Sequence, residues 1–68
     1  MEGKIFRHYK GNLYKVLHVA NHSETLEKMV VYKALYGEGE IWTRPLSMWT
    51  EKVLLDGKEI KRFEEIRD

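Results

Sequence analysis

Leu13-Tyr14-Lys15-Val16-Leu17-His18-Val19-Ala20 and Met29-Val30-Val31-Tyr32-Lys33-Ala34-Leu35-Tyr36 decide the fold of this chain. Both runs are dense in Val, Leu and Tyr. Consecutive β-branched and aromatic residues such as Val30-Val31-Tyr32 disfavour helix and suit a pleated strand. The two runs read as the arms of a hairpin. Each arm is apolar on both alternate sets. In the first, Tyr14, Val16, His18 and Ala20 oppose Leu13, Lys15, Leu17 and Val19. In the second, Val30, Tyr32, Ala34 and Tyr36 oppose Met29, Val31, Lys33 and Leu35. A sheet wetted on one side alternates apolar with polar. This hairpin is therefore expected to be covered on both sides, or to offer one face to a ligand.

Between the arms lies Asn21-His22-Ser23-Glu24-Thr25-Leu26-Glu27-Lys28. Hairpins usually reverse in about two to five residues, so a polar loop of this length points to a role beyond chain reversal. His22-Ser23-Glu24 contains the residue types of a hydrolase triad. Adjacent extended residues point to opposite faces, however, and no Gly-flanked elbow surrounds Ser23. The better reading is local: Ser23 and Thr25 hydroxyls cap turn N–H groups, and Asn21 with Glu24 has capping-box spacing. His18 and His22 stand four apart. On a strand that spacing spans about 13 Å, too far for two nitrogens each about 2 Å from one ion. No catalytic residue, metal or cofactor is expected, and His18 reads as a partly buried, hydrogen-bonded sheet residue.

Gly11-Asn12 marks a turn before the first arm, and Gly37 and Gly39 end the second. Ile41-Trp42-Thr43 reads as a short third strand stopped by Pro45. Leu46 to Trp49 reads as a single helical turn with Pro45 at its first position, where the missing N–H costs nothing. Glu51–Leu55 and Lys58–Phe63 flank Asp56-Gly57, the strongest hairpin signal in the chain, because a type I′ turn needs positive φ at both positions. A two-residue turn sets Leu55 against Lys58, Val53 against Ile60 and Glu51 against Arg62, an apolar pair and an opposite-charge pair on one face. Glu64 to Asp68 reads as a fraying end or a helical turn. The expected fold is all-β, a small barrel of five to six short strands with one helical turn, in which residues 1–68 form one domain.

The core is thin, since a chain of 68 residues buries only about 60% of its unfolded surface. With no Cys, no disulfide or thiolate zinc site can staple it. Lys4, Arg7 and Lys10 interrupt the first residues, so no signal peptide is expected. No apolar run approaches the roughly 18 residues of a membrane span. The expected compartment is the cytoplasm. The net charge of +1 argues against a dedicated nucleic-acid coat, yet Lys4, Arg7, Lys10 and Lys15 against Glu2 alone give residues 1–22 a local +3.

His8-Tyr9-Lys10-Gly11, Tyr14, Ala20, His22-Ser23-Glu24-Thr25, Val30-Val31-Tyr32, Leu35-Tyr36-Gly37, Trp42, Arg44-Pro45-Leu46, Asp56-Gly57 and Arg62-Phe63 follow one another in an order that resembles a small bacterial family, domain of unknown function 1653. The resemblance covers nearly the whole chain. It implies an SH3-like β-barrel of bacterial or phage origin and no particular activity. Trp49 stands where the family pattern leads one to expect Phe, and Lys61 where Pro is frequent.

Tyr9, Tyr14, Tyr32, Tyr36, Trp42 and Trp49 are six large amphipathic rings. Most are expected to fill the core, because rings bury the most area per residue. The alternative is an aromatic groove or cage of the kind that binds proline-rich peptides or methylated cations. Arg44 is expected to tether the 21–28 loop through Glu24, Glu27 or a carbonyl, in preference to binding an anion. The expected function is a non-enzymatic binding module for a protein or peptide. Its surface would combine His22, Glu24 and Thr25 with Arg44 and exposed edges of Tyr9, Tyr36, Trp42 or Trp49. The alternative is a nucleic-acid-associated domain that uses the four basic residues, with Tyr9 and Tyr14 as stacking platforms. A monomer or a weak homodimer is expected.

Overall fold

Seven strands and one helical turn are built from residues 1–66, which the computed structural model describes. In chain order they are β1 (Ile5–His8), β2 (Leu13–Asn21), β3 (Lys28–Ala34), β4 (Ile41–Pro45), α1 (Leu46–Trp49), β5 (Lys52–Leu55), β6 (Lys58–Lys61) and β7 (Phe63–Glu65). Five strands form one antiparallel sheet in the order β4-β3-β2-β1-β7, and β5 with β6 forms a separate hairpin. The all-β class agrees with the sequence. The strand number exceeds the five to six expected.

β1 and β7 are the strands the sequence concealed, being too short to show a period. They pair with each other through Phe6 and Glu65, Arg7 and Glu64, and His8 and Phe63. The expected fraying or helical turn is thus corrected for Glu64 and Glu65. Ile66 N–H donates to the Ile5 carbonyl at 2.9 Å. The remainder of that expectation, residues 67 and 68, lies outside the described residues. The run expected from Lys58 to Phe63 breaks at Arg62, where the chain leaves β5 and passes to β1.

A bulge in β2 explains why that arm is apolar on both alternate sets. Val16 pairs with Tyr32 and His18 with Val31, which leaves Leu17 as the extra residue. One inserted residue reverses which alternate set faces inward. Tyr14, Val16 and Val19 therefore share the inner face with Ala34, Tyr32 and Val30. His18 falls on the outer face. It is exposed rather than partly buried, and its Nδ1 lies 3.3 Å from Glu2 Oε2.

The core consists of Phe6, Val16, Val30, Tyr32, Ala34, Trp49 and Phe63. In a flat sheet, β4 and β7 would stand roughly 19 Å apart at about 4.8 Å per strand. Here the Arg44 guanidinium of β4 lies 5.4 Å from the ring centre of Phe63 in β7. The sheet has curled until its two edges face each other. Trp49 fills the space between, stacked on Phe63 at 3.7 Å and 2° and edge-on to Phe6 and Tyr32. Its indole N–H has no hydrogen-bond partner, so Trp49 contributes area and shape, not a polar link.

Pro45 does not stop the third strand. β4 continues through Pro45, which pairs with Met29 at the sheet edge, where a missing N–H breaks no ladder bond. Pro45 is then the N-cap of α1, one position before the expected one. The turn closes through Thr50 N–H and hydroxyl to the Leu46 carbonyl.

The second hairpin keeps its expected register: Leu55 faces Lys58 and Val53 faces Ile60. Asp56 and Gly57 have φ of 52° and 78°. At its base Arg62 Nη2 donates to Glu51 Oε1 at 2.8 Å, while the Arg62 carbonyl accepts from Tyr9 N–H. Leu54 and Leu55 remain exposed, so the hairpin is anchored mainly at this end. Replacing Gly57 with Val forces a β-branched residue into the left-handed region, at a cost of about 1–2 kcal/mol. In this variant, amide exchange should quicken roughly five- to thirtyfold in β5 and β6, as follows from that cost, and stay unchanged at Val16 and Val30.

Candidate functional site

Leu35-Tyr36-Gly37-Glu38-Gly39-Glu40 joins β3 to β4. Gly37 and Gly39 take φ of 57° and 67°, where glycine carries no Cβ penalty. Gly39 N–H donates to the Tyr36 carbonyl, and Ala34 N–H to the Glu40 carbonyl. The returning chain places Trp42 opposite Tyr32. Between the loop and β4 opens a groove of about 360 Å³ lined by Ala34, Tyr36, Gly37, Glu38, Glu40 and Trp42. Ala34 is buried, whereas Tyr36 and Trp42 are 47% and 49% exposed.

Tyr36 is held in place from behind. Its hydroxyl lies 2.8 Å from that of Tyr14, and the two rings meet edge-on at 5.6 Å. Burial, and then the hydrogen bond with Tyr36, push the Tyr14 phenol up to about 12, so it keeps its proton. Tyr14 also packs edge-on against Tyr32 and Phe63. It is a wall of the interior, and the expected role of exposed stacking platform is corrected for this residue.

Arg44 shares the inner face with Val30 and sits over Phe63. The expected tether to the 21–28 loop is replaced by this cation–π contact across the seam, because strand register turns the side chain inward. His8 lies beside the same seam, packed against Tyr9 and Phe63. Its imidazole titrates below its ordinary value, through burial first and then the positive charges of Arg44, Arg62 and Lys10. Its Nδ1 accepts the Lys10 N–H at 3.2 Å.

The long loop proves to be six residues, 22–27, since Asn21 and Lys28 form the last ladder pair. It is organised from within. His22 Nδ1 accepts N–H bonds from Glu24 at 3.1 Å and Thr25 at 3.3 Å. The His22 carbonyl accepts from Leu26 N–H, and His22 N–H donates to the Glu27 carbonyl. Thr25 Oγ1 accepts the Glu27 N–H, one of the hydroxyl caps the sequence suggested. Histidine, not Ser23 or Asn21, supplies the main cap. Asn21 Oδ1 instead accepts from Lys28 Nζ.

The residues expected to form one surface are thus divided. His22, Glu24 and Thr25 lie at one end of β3, and Tyr36 and Trp42 at the other. Seven strand residues at about 3.3 Å each put these ends roughly 20 Å apart. Tyr9 stands on the turn after β1, half-buried against His8 and 5.9 Å from Lys10 Nζ. Trp49, expected to show an edge, is 2% exposed and belongs to the core, because the curled sheet closes over it. Of the expected set, Tyr36 and Trp42 line one groove together. Glu38 and Glu40 were missed because Gly-Glu-Gly-Glu reads as a turn; their position between two aromatic residues was the available signal. Among the described residues no three His, Asp or Glu side chains are grouped to hold a metal ion.

The loop and the seam make separable predictions. His22→Ala should quicken amide exchange at Glu24 and Thr25 about tenfold, for a hydrogen bond worth about 1 kcal/mol or slightly more. Arg44→Ala should leave those amides unchanged and lower global stability by about 0.5–2 kcal/mol through the lost contact with Phe63. Denaturant melts and exchange spectra of the two variants check both.

Comparison with known proteins places this geometry. The family model described as "Protein of unknown function (DUF1653)" matches residues 4–65. A crystal structure of a DUF1653 protein from Bordetella bronchiseptica is similar at 35% identity and a TM-score of 0.85, covering 97% of this chain and 87% of that one. No curated protein matches the chain.

Proposed function

The chain belongs to the DUF1653 family, and from that premise we propose that it is a non-enzymatic binding module, an SH3-like barrel whose partner is a protein or peptide. The observation that carries the reading is the pair of half-exposed rings, Tyr36 and Trp42, lining one groove over the small side chain of Ala34. Aromatic residues are enriched where proteins bind one another, since a rigid ring offers much area for little lost entropy. The SH3-like assignment is supported by the strand order β4-β3-β2-β1-β7, with a helical turn leading from the fourth strand toward the last and the β5–β6 hairpin set between them. The non-catalytic assignment is supported by His22, whose Nδ1 is occupied by two backbone donors and does not serve Ser23 as a base. No helix among the described residues is long and apolar enough to cross a membrane.

Amide-shift titration with pools of short peptides tests the proposal. Ligands should perturb residues 34–42. Trp42→Ala should weaken binding tenfold or more, the loss of about 1.4 kcal/mol or more typical of an anchoring ring, with little change in the unfolding midpoint. Perturbations confined to residues 22–27 would place the surface elsewhere. Salt-sensitive binding of a single-stranded oligonucleotide at Arg7 and Lys15, with the groove silent toward peptides, would replace this reading with the nucleic-acid one.

A further inference from the structure

We infer that the Tyr36–Trp42 groove takes a basic side chain, a lysine or arginine presented by an extended peptide. This deepens the proposed peptide-binding function and rests on it. The groove carries two carboxylates, Glu38 and Glu40, beside its two exposed rings. No basic residue occurs from Ala34 to Thr43, so a chain of net charge +1 has a local −2 here. Among the described residues neither carboxylate has an ion-pair partner: the pairs are His18–Glu2, Lys52–Glu59 and Arg62–Glu51. Lys33 leaves β3 on the face opposite Ala34 and pairs in register with Ile41. Its side chain nevertheless runs under Gly39, where an added Cβ would meet Cε at 3.0 Å and Nζ at 3.8 Å, yet no described ion pair joins it to Glu38 or Glu40.

The chemistry of the lining selects the ligand. Ring faces carry negative electrostatic potential and attract an ammonium or guanidinium. Carboxylates accept its N–H donors, and such charge-assisted bonds are stronger than neutral ones. An acidic ligand would meet two carboxylates that no described ion pair neutralises. The geometry is partly preset. Tyr36 is fixed through its hydroxyl to Tyr14, and Gly37 and Gly39 hold left-handed conformations that define the loop. Less ordering is then needed on binding. The groove is open to solvent, so an extended segment can lie across it while one side chain enters.

Three nine-residue peptides of Gly and Ser test this, with the central three positions Lys, norleucine or Glu, each titrated while backbone amides of Gly37 to Trp42 are observed. The lysine peptide should perturb these amides, the norleucine peptide should bind at least tenfold more weakly, and the Glu peptide should leave them unmoved. The double variant Glu38→Gln, Glu40→Gln should weaken the lysine peptide at least fivefold, and raising salt should weaken it in the wild type. Because both carboxylates are exposed, the variant is expected to fold, which its amide spectrum will verify. Equal binding of the lysine and norleucine peptides, insensitive to salt and to the double variant, overturns the cation inference and leaves the peptide-binding function standing. Lysine binding that maps to Glu24 and Glu27 overturns the site. Silence of the groove toward all three peptides, and toward the pools described above, overturns both.

Discussion

The stack of Trp49 on Phe63 is the contact on which the rest of this structure depends. The two rings lie 3.7 Å apart and parallel within 2°. Phe63 belongs to β7, one edge of the five-stranded sheet, and Trp49 ends the helical turn that leaves β4, the other edge. A small domain without disulfides has little apolar surface to bury. Curling the sheet lets its two edges share one interior. Phe6, Val16, Val30 and Tyr32 complete the cluster from β1, β2 and β3, and Arg44 lies over the Phe63 ring at the seam. An aromatic pair of this kind contributes about 0.5–1.5 kcal/mol beyond its buried area. In a protein whose total stability is of order 5 kcal/mol, that is a decisive share.

Closure also positions the groove. With Tyr14 drawn into the interior against Tyr32 and Phe63, its hydroxyl is aimed at Tyr36 and fixes that ring at the barrel's end. Trp42 shares a face with Tyr32, its partner across the β3–β4 ladder, yet half its surface stays open. Ala34 between them is too small to fill the space. The same strand register that builds the core therefore leaves two rings unburied at one end.

Much of this fold is legible in the amino-acid sequence itself. The main hairpin followed from β-branched density, the second hairpin from Asp56-Gly57, and the helical turn from Pro45-Leu46. The resemblance to DUF1653 came from short motifs spread over the chain. Other features were hidden for physical reasons. β1 and β7, four and three residues long, are too short to show a period, and β7 pairs with β1 across the length of the chain. The Leu17 bulge made one buried face look like two, because an inserted residue reverses side-chain alternation. Arg44 was assigned to the loop because charge suggested a carboxylate partner, while register delivered an aromatic one. Of the site, the aromatic surplus indicated Tyr36 and Trp42 correctly as exposed rings and Trp49 wrongly, since composition cannot say which ring a curled sheet encloses. His22 drew notice as a reactive residue, and its nitrogen holds the loop together.

A double-mutant cycle between Trp49 and Phe63 tests the closing stack most directly. Trp49→Leu, Phe63→Leu and the double variant keep apolar volume in the core while removing the ring-on-ring contact. Denaturant unfolding of the four proteins gives the coupling energy. If the stack closes the barrel, the coupling is about 1 kcal/mol or more, and each single variant weakens amide protection in both edge strands, β4 and β7, together. Additive variants with coupling near zero, or loss of protection in β7 alone, would contradict the account.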